Sequence, residues 1–189
     1  MNKKILLFIV AVLASAALSA RANLVANPGF ETGNFAPEWT QFGDTSFDGV
    51  GNSSPDGTPP HSGNFLAFFG AVGTTSGITQ TLTASAGLFN VDFWLASGGN
   101  DGASFFQASL GGNTFYTLPG GGGGFSYIHV VMNNIAAGAN PTLQFTSENN
   151  PSWWDLDDIN VVAVPEPGTM GLIALGGLGL VAALRKRLA

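Results

Sequence analysis

Two carboxylates stand side by side near the end of the chain, Asp157 and Asp158, in the run WWDLDDINV at residues 153–161. Read as one regular strand, this run puts Trp154 and Leu156 on one face and Ile159 and Val161 on the other. Both pairs need a core, so the inward face must switch between Leu156 and Ile159. One extra residue at Asp157-Asp158 makes that switch as a β-bulge. Adjacent carboxylates at a bulge repel each other unless a cation lies between them, and their hard oxygens suit Ca2+. The competing reading leaves both aspartates solvated on the rim.

A second chemistry is available to the aromatic residues. Flat indole faces bind sugar rings, with neighbouring Asn and Asp side chains taking the hydroxyls. Trp153 follows Asn149, Asn150, Pro151 and Ser152, where a loop enters the last strand, and the bulge turns it outward while Trp154 turns in. Trp94 shares the outer face of its strand with Asn90 and Asp92. Trp153, Trp94, Asn90 and Asp92 are therefore the ligand-binding candidates, whereas Trp39 is expected in the core. His61 and His129 have no Glu or second His at metal-ligand spacing and are expected to be structural. No Gly-x-Ser-x-Gly elbow is present and no segment singles out a glycosidase pair, so the chain is not expected to be an enzyme.

Charge narrows the field further. All six Lys and Arg residues lie at the ends, as Lys3, Lys4, Arg21, Arg185, Lys186 and Arg187, while of the twelve Asp and Glu only Glu166 lies outside residues 23–164. Without Lys or Arg that stretch cannot neutralise phosphates, which excludes nucleic acid as a partner. The glycine run at 120–124 likewise lacks the lysine of a phosphate-binding loop and reads as a flexible loop. An acidic domain of this kind can take a cation or a neutral ligand such as a sugar. The chain has no cysteine, so disulfides and thiolate chemistry are excluded.

The elements that must position these residues are strands. Phe89, Val91, Phe93 and Leu95 alternate with polar residues, and β-branched alternation runs through 78–83. Further strands are expected at 39–42, 65–69, 104–110, 114–118, 127–132, 142–146 and 156–162. Eight or nine short strands separated by Gly and Pro argue an all-β, antiparallel β-sandwich over residues 23–164.

Both ends read as addresses. Lys3 and Lys4, an apolar stretch at 5–18 and the small-x-small pattern Ala20-Arg21-Ala22 fit a signal peptide over residues 1–22, removed by signal peptidase. At the other end Pro165-Glu166-Pro167 precedes an uncharged span at 168–184, about 25 Å long as a helix, and the basic Arg185, Lys186 and Arg187. Basic residues mark the cytoplasmic side, so a single transmembrane helix ending in the cytoplasm is expected, with the two prolines as an extended elbow before it. This order of elements over 165–189 resembles the PEP-CTERM sorting signal. The resemblance implies processing by an exosortase-type sorting transpeptidase, then delivery from the inner membrane to the cell surface or extracellular matrix.

Two further stretches carry a second resemblance. NLVANPGFETG at 23–33 and the closing 153–161 run, with HSGNFLAFFG at 61–70 between them, resemble the carbohydrate-binding-module type of galactose-binding-like jelly roll. That family implies a structural Ca2+ between its opening glutamate and closing aspartates, here Glu31, Asp157 and Asp158. It also implies a non-catalytic module associated with extracellular polysaccharide. The alternative function is a structural surface or biofilm-matrix component with no dedicated ligand pocket.

Overall fold

Phe89, Val91, Phe93 and Leu95 are all fully buried in the computed structural model, which describes residues 22–165 and Gly176. They lie on the longest central strand, and their outward neighbours are Asn90, Asp92 and Trp94. Ten strands form in chain order: β1 Thr40–Gly43, β2 Gly49–Gly51, β3 Leu66–Phe69, β4 Ser76–Thr81, β5 Gly87–Gly99, β6 Phe105–Leu110, β7 Asn113–Pro119, β8 Gly123–Ala137, β9 Thr142–Glu148 and β10 Trp154–Val164. They make two five-stranded sheets, one ordered β1-β4-β9-β6-β7 and the other β2-β3-β10-β5-β8. The expected all-β sandwich is therefore the fold, and Asn23–Ala163 is one compact unit.

The core between the sheets is aromatic. Phe93 meets Phe145 edge-on at 5.3 Å between ring centroids and Tyr116 at 5.7 Å, and Trp39 and Trp154 are almost completely buried. Such edge-to-face pairs add about 0.5–1.5 kcal/mol each beyond the area they bury. Trp154, Leu156, Ile159 and Val161 all reach this core, and the switch between the two pairs falls at Asp158, whose φ is 48°. Gln80 is the largest polar side chain on the inner face of β4. Its side-chain amide accepts from Ala26 N and donates to the carbonyls of Ala26 and Glu38, tying the opening segment to β4.

Three sequence expectations need adjustment. The three-residue β2 was not foreseen, and β8 runs well beyond 127–132 at both ends. The glycine run is not simply a flexible loop. Gly123 and Gly124 are in β8, with Gly123 opposite Gly99, and a Cβ on Gly120 would overlap the carbonyl oxygens of Asp101 and Ser104. Close backbone approach, rather than mobility, is what requires glycine there. Residues 1–21, Glu166, Pro167, the 168–184 span other than Gly176, and Arg185, Lys186 and Arg187 lie outside the described residues. Among the described residues no helix is long and apolar enough to cross a membrane.

Gly120 and Gly122 separate packing from flexibility within one run. Gly120→Ala should cost about 1–3 kcal/mol in urea denaturation, because its overlap is with backbone that cannot rotate away. Gly122→Ala, with nothing within 4 Å of the added methyl, should stay within about 0.5 kcal/mol of the parent.

Candidate functional site

The carboxylates expected to act together do converge. Glu31, Asp157 and Asp158 all grip the segment at residues 61–65, which precedes β3. Glu31 accepts from the backbone N–H groups of Asn64 at 2.9 Å and Phe65 at 3.2 Å. Asp157 Oδ2 accepts from His61 N at 2.8 Å and Ser62 N at 3.2 Å, while its Oδ1 accepts from Asp158 N. Asp158 accepts from Ser62 Oγ at 2.7 Å and pairs with His61 Nδ1 at 2.6 Å. Asn27, Phe30 and Asp158 around this cradle all have positive φ, a conformation that non-glycine residues hold only when surroundings enforce it.

The electrostatics of the three differ. Hydrogen bonding, led by Asn64 N–H, holds Glu31 below the usual carboxylate range. Burial pushes Asp157 up to about 6 despite its backbone donors. As a Ca2+ site the set fits in donor chemistry: hard oxygens from two segments far apart in sequence, with no Lys or Arg among them. Asp157 Oδ1 and Asp158 Oδ1 lie 3.4 and 3.5 Å from where a Cβ of Gly29 would stand. As the side chains stand, however, every one of the six oxygens already takes an N–H or O–H, and among the described residues no three acidic or His side chains are arranged to hold a metal.

Trp94, the expected sugar platform, is enclosed. Its indole stacks on His61 at 3.8 Å and on His129 at 4.6 Å, with interplanar angles of 16° and 6°. β5 lies between β8, which carries His129, and β10, whose Asp158 holds His61, so the imidazoles flank the indole from both sides. Neither face is left for a sugar ring. Asp92 accepts from Asn160 Nδ2 and pairs with His129, and Asn90 accepts from Asn134 N. Trp153 is half-buried, lies over Gly70 and donates Nε1–H to the Phe47 carbonyl. The four ligand candidates thus all make contacts within the domain; Asn90, Asp92 and Trp94 share a face as expected, and Trp153 stands apart from them.

The open polar surface is on the other sheet, and sequence reasoning missed it. Cross-strand register lines up Thr40, Thr79, Gln144, Ser109 and Thr114 in one outward row over all five strands. A second row holds Phe42, Gly77, Thr146, Gln107 and Thr117, with the Phe42 ring lying over Gly77. Within these strands only Glu148 carries charge. At strand spacings near 4.8 Å the face is roughly 20 Å across. The available signal was Thr, Gln and Ser at alternate positions of β4, β6 and β9.

Stability should report the buried aspartates. Burial, reinforced by the charge of Asp56, pushes Asp155 up to about 7, and burial takes Asp157 to about 6. Unfolded aspartates titrate near 3.9, so the folded state binds these protons more tightly. In protein freed of divalent cations the melting temperature should rise as pH falls from about 7.5 to about 5. Below about 4 it should fall, as Glu31, Asp44 and Asp101, all held low by hydrogen bonds, lose their charge. A melting temperature that drops steadily from neutral pH would contradict this.

Among known proteins no curated sequence matches the chain. Solved structures share its fold. TmCBM61, solved in complex with beta-1,4-galactotriose, is 22% identical with a TM-score of 0.59, the match covering 76% of this chain and 99% of that one. The K3 cleaved adhesin domain of Lys-gingipain from Porphyromonas gingivalis w83 is 13% identical at a TM-score of 0.55, over 75% and 100% of the two chains. A Stig cyclase, Fisc, from Fischerella sp. TAU is 16% identical at 0.55, over 78% and 99%. A binding module, an adhesin domain and a cyclase share the sandwich, so fold alone does not decide function. The C-terminal part is specific: residues 163–187 match the PEP-CTERM protein-sorting motif, which implies a membrane-anchored precursor exported to the cell surface.

Proposed function

We infer that the exported domain is a non-catalytic module that associates with neutral, hydroxyl-rich polysaccharide at the cell surface. The observation that carries this reading is the uncharged row of Thr40, Thr79, Gln144, Ser109 and Thr114. Hydroxyl and amide side chains both donate and accept, which matches sugar hydroxyls, and a flat sheet face suits a chain molecule. Phe42, half-buried over Gly77, offers an apolar surface to the carbon face of a sugar ring. The galactotriose bound by the similar TmCBM61 supports the same ligand class. Signal peptidase removes the leader, and an exosortase-type transpeptidase reads Pro165-Glu166-Pro167 while the apolar span holds the precursor in the inner membrane.

Glu31, Asp157 and Asp158 would hold Ca2+, which would supply the positive charge that the domain's side chains lack. Its role is structural, clamping residues 61–65 to β10. On this reading chelator lowers the melting temperature of the parent by a few degrees, and Glu31→Gln measurably reduces that response.

Binding is tested on the parent's own exopolysaccharide. Gln144→Ala with Gln107→Ala should weaken retention at least about tenfold, equivalent to about 1.4 kcal/mol. Val131→Ser on the opposite sheet should not. Equal retention by all three proteins would eliminate the face as the binding surface. Delivery is tested separately: replacing Pro165, Glu166 and Pro167 by Ala should leave unprocessed precursor in the inner membrane. Normal surface delivery of that variant would reduce the tail to a simple anchor.

A further inference from the structure

One carboxylate in the domain is buried with nothing to bind. Asp155 is completely inaccessible, lies between the core residues Trp154 and Leu156 on β10, and neither of its oxygens has a hydrogen-bond partner. It faces away from the core, beneath the connection that leads from β2 to β3. Ser54 and Thr58 of that connection reach toward it and act on it as hydrogen-bonding neighbours, but their hydroxyl protons point at Asp56. Ser54 Oγ donates to Asp56 Oδ1, Thr58 Oγ1 donates to the same oxygen at 3.1 Å, and Ser152 Oγ donates to Asp56 Oδ2 at 2.6 Å. Asp155 therefore meets the lone pairs of hydroxyls whose single protons point at a second carboxylate. Acceptors face acceptors.

A further buried oxygen lies in the field of the same carboxylates. The Tyr127 hydroxyl, from β8, is buried without a partner, and Asp155 is the carboxylate that acts on it most strongly, followed by Asp157, Asp158 and Asp56. One buried carboxylate, a second at the surface above it, three hydroxyl oxygens and no Lys or Arg between residues 23 and 164 leave Asp155 an uncompensated negative site. An isolated buried charge is costly unless paired, and removing it from water without compensation costs several kcal/mol.

We propose that Asp155 and Asp56, with the hydroxyl oxygens of Ser54, Thr58 and Tyr127, form a site for a hard divalent cation, separate from the Glu31, Asp157 and Asp158 cradle. Both Asp155 oxygens, an Asp56 oxygen and the three hydroxyls give the all-oxygen set that Ca2+ takes, within the usual six to eight ligands once water is added. Only two carboxylates take part, the other donors being hydroxyls, so acidic residues alone do not reveal the site. A bound cation ties the β2–β3 connection to β10 and turns the hydroxyl lone pairs from a repulsive into a coordinating surface. The competing arrangement, a proton or a water on Asp155, satisfies the same atoms with no metal.

The test uses the full chain in detergent, stripped of metal, with Ca2+ itself as the probe at pH 8. Calorimetric titration and thermal melting are compared for the parent, Asp155→Asn, Asp56→Asn and Glu31→Gln. The parent should bind one Ca2+ more per chain than Asp155→Asn, or the affinity of that site should fall at least about tenfold in this variant, and Asp56→Asn should behave alike. Glu31→Gln should retain the site, which separates it from the cradle. Melting supplies a sign that simple damage does not. Without Ca2+ the Asp155→Asn protein should melt at or above the parent, since a buried charge is gone, and with Ca2+ it should melt below. Unchanged Ca2+ stoichiometry and affinity in both Asp155→Asn and Asp56→Asn, or no Ca2+ bound by the parent, would overturn the proposal in favour of the proton or water.

Discussion

Carboxylates without cationic side chains are the constraint from which much of this domain's architecture follows. No Lys or Arg occurs between residues 23 and 164, so its acidic groups must find N–H or O–H donors instead. They find them chiefly in loops, whose backbone N–H groups are not claimed by a sheet. Glu31 takes Asn64 and Phe65, Asp157 takes His61 and Ser62, Asp101 takes Ala103 and Ser104, and Asp56 takes Thr58. A hydrogen bond to a charged acceptor contributes about 1.5–3 kcal/mol, roughly twice a neutral one. The same bonds that neutralise charge therefore place loops. The long connection from β2 to β3 is held at residues 61–65 by Glu31, Asp157 and Asp158, and near its start by Asp56 and Ser152.

Holding that connection down divides the sandwich chemically. The sheet containing β10, β5 and β8 carries Asp92, Asp155, Asp157 and Asp158, and its outer side is closed by His61, Trp94, His129 and Tyr127. The sheet containing β4, β9 and β6 has no such cover and almost no charge. Its outward Thr, Gln and Ser residues still make some bonds among themselves, such as Gln144 Nε2 to Thr146 Oγ1 at 2.9 Å and Gln107 Nε2 to Thr117 Oγ1 at 3.3 Å. Each hydroxyl and amide retains further donor or acceptor capacity. Confining the charged groups to one face leaves the other able to meet an uncharged ligand without desolvating carboxylates.

What could be read from sequence, and what could not, divides by range. The alternation at 88–96 and the β-branched run at 78–83 are local patterns, and they placed β5 and β4 nearly to their ends. The inward switch at Asp158 was legible because four apolar residues, two on each side, make incompatible demands on one strand. The enclosure of Trp94 was not legible. It depends on His61, 97 positions before the Asp158 that holds it, arriving over β5 through a loop with no periodic signal. The polar rows were hidden for a related reason. Thr79, Gln144 and Ser109 are visible singly, but only register shows that they stand side by side. The glycines at 120–124 misled because composition marks flexibility, whereas the crowding of Gly120 and Gly124 comes from Asp101, Ser104 and Gly98 across the turn.

Asp155 and Asp157 make the closing comparison, since they share a strand, an outward direction and complete burial. Their surroundings differ in one respect. Asp157 lies where the connection passes with its backbone N–H groups turned down, at His61 and Ser62. Asp155 lies where the same connection presents hydroxyls that Asp56 has already claimed. An N–H can only donate, so Asp157 is satisfied by the protein itself whether or not a metal is near. A hydroxyl donates once and accepts otherwise, so each hydroxyl between two carboxylates serves only one of them at a time. The deficit at Asp155 is thus a matter of where protons point: those of Ser54 and Thr58 both go to Asp56, which also accepts from Thr58 N and Ser152 Oγ. While those protons point at Asp56, a species from outside the chain, carrying either a proton or positive charge, would complete the surroundings of Asp155.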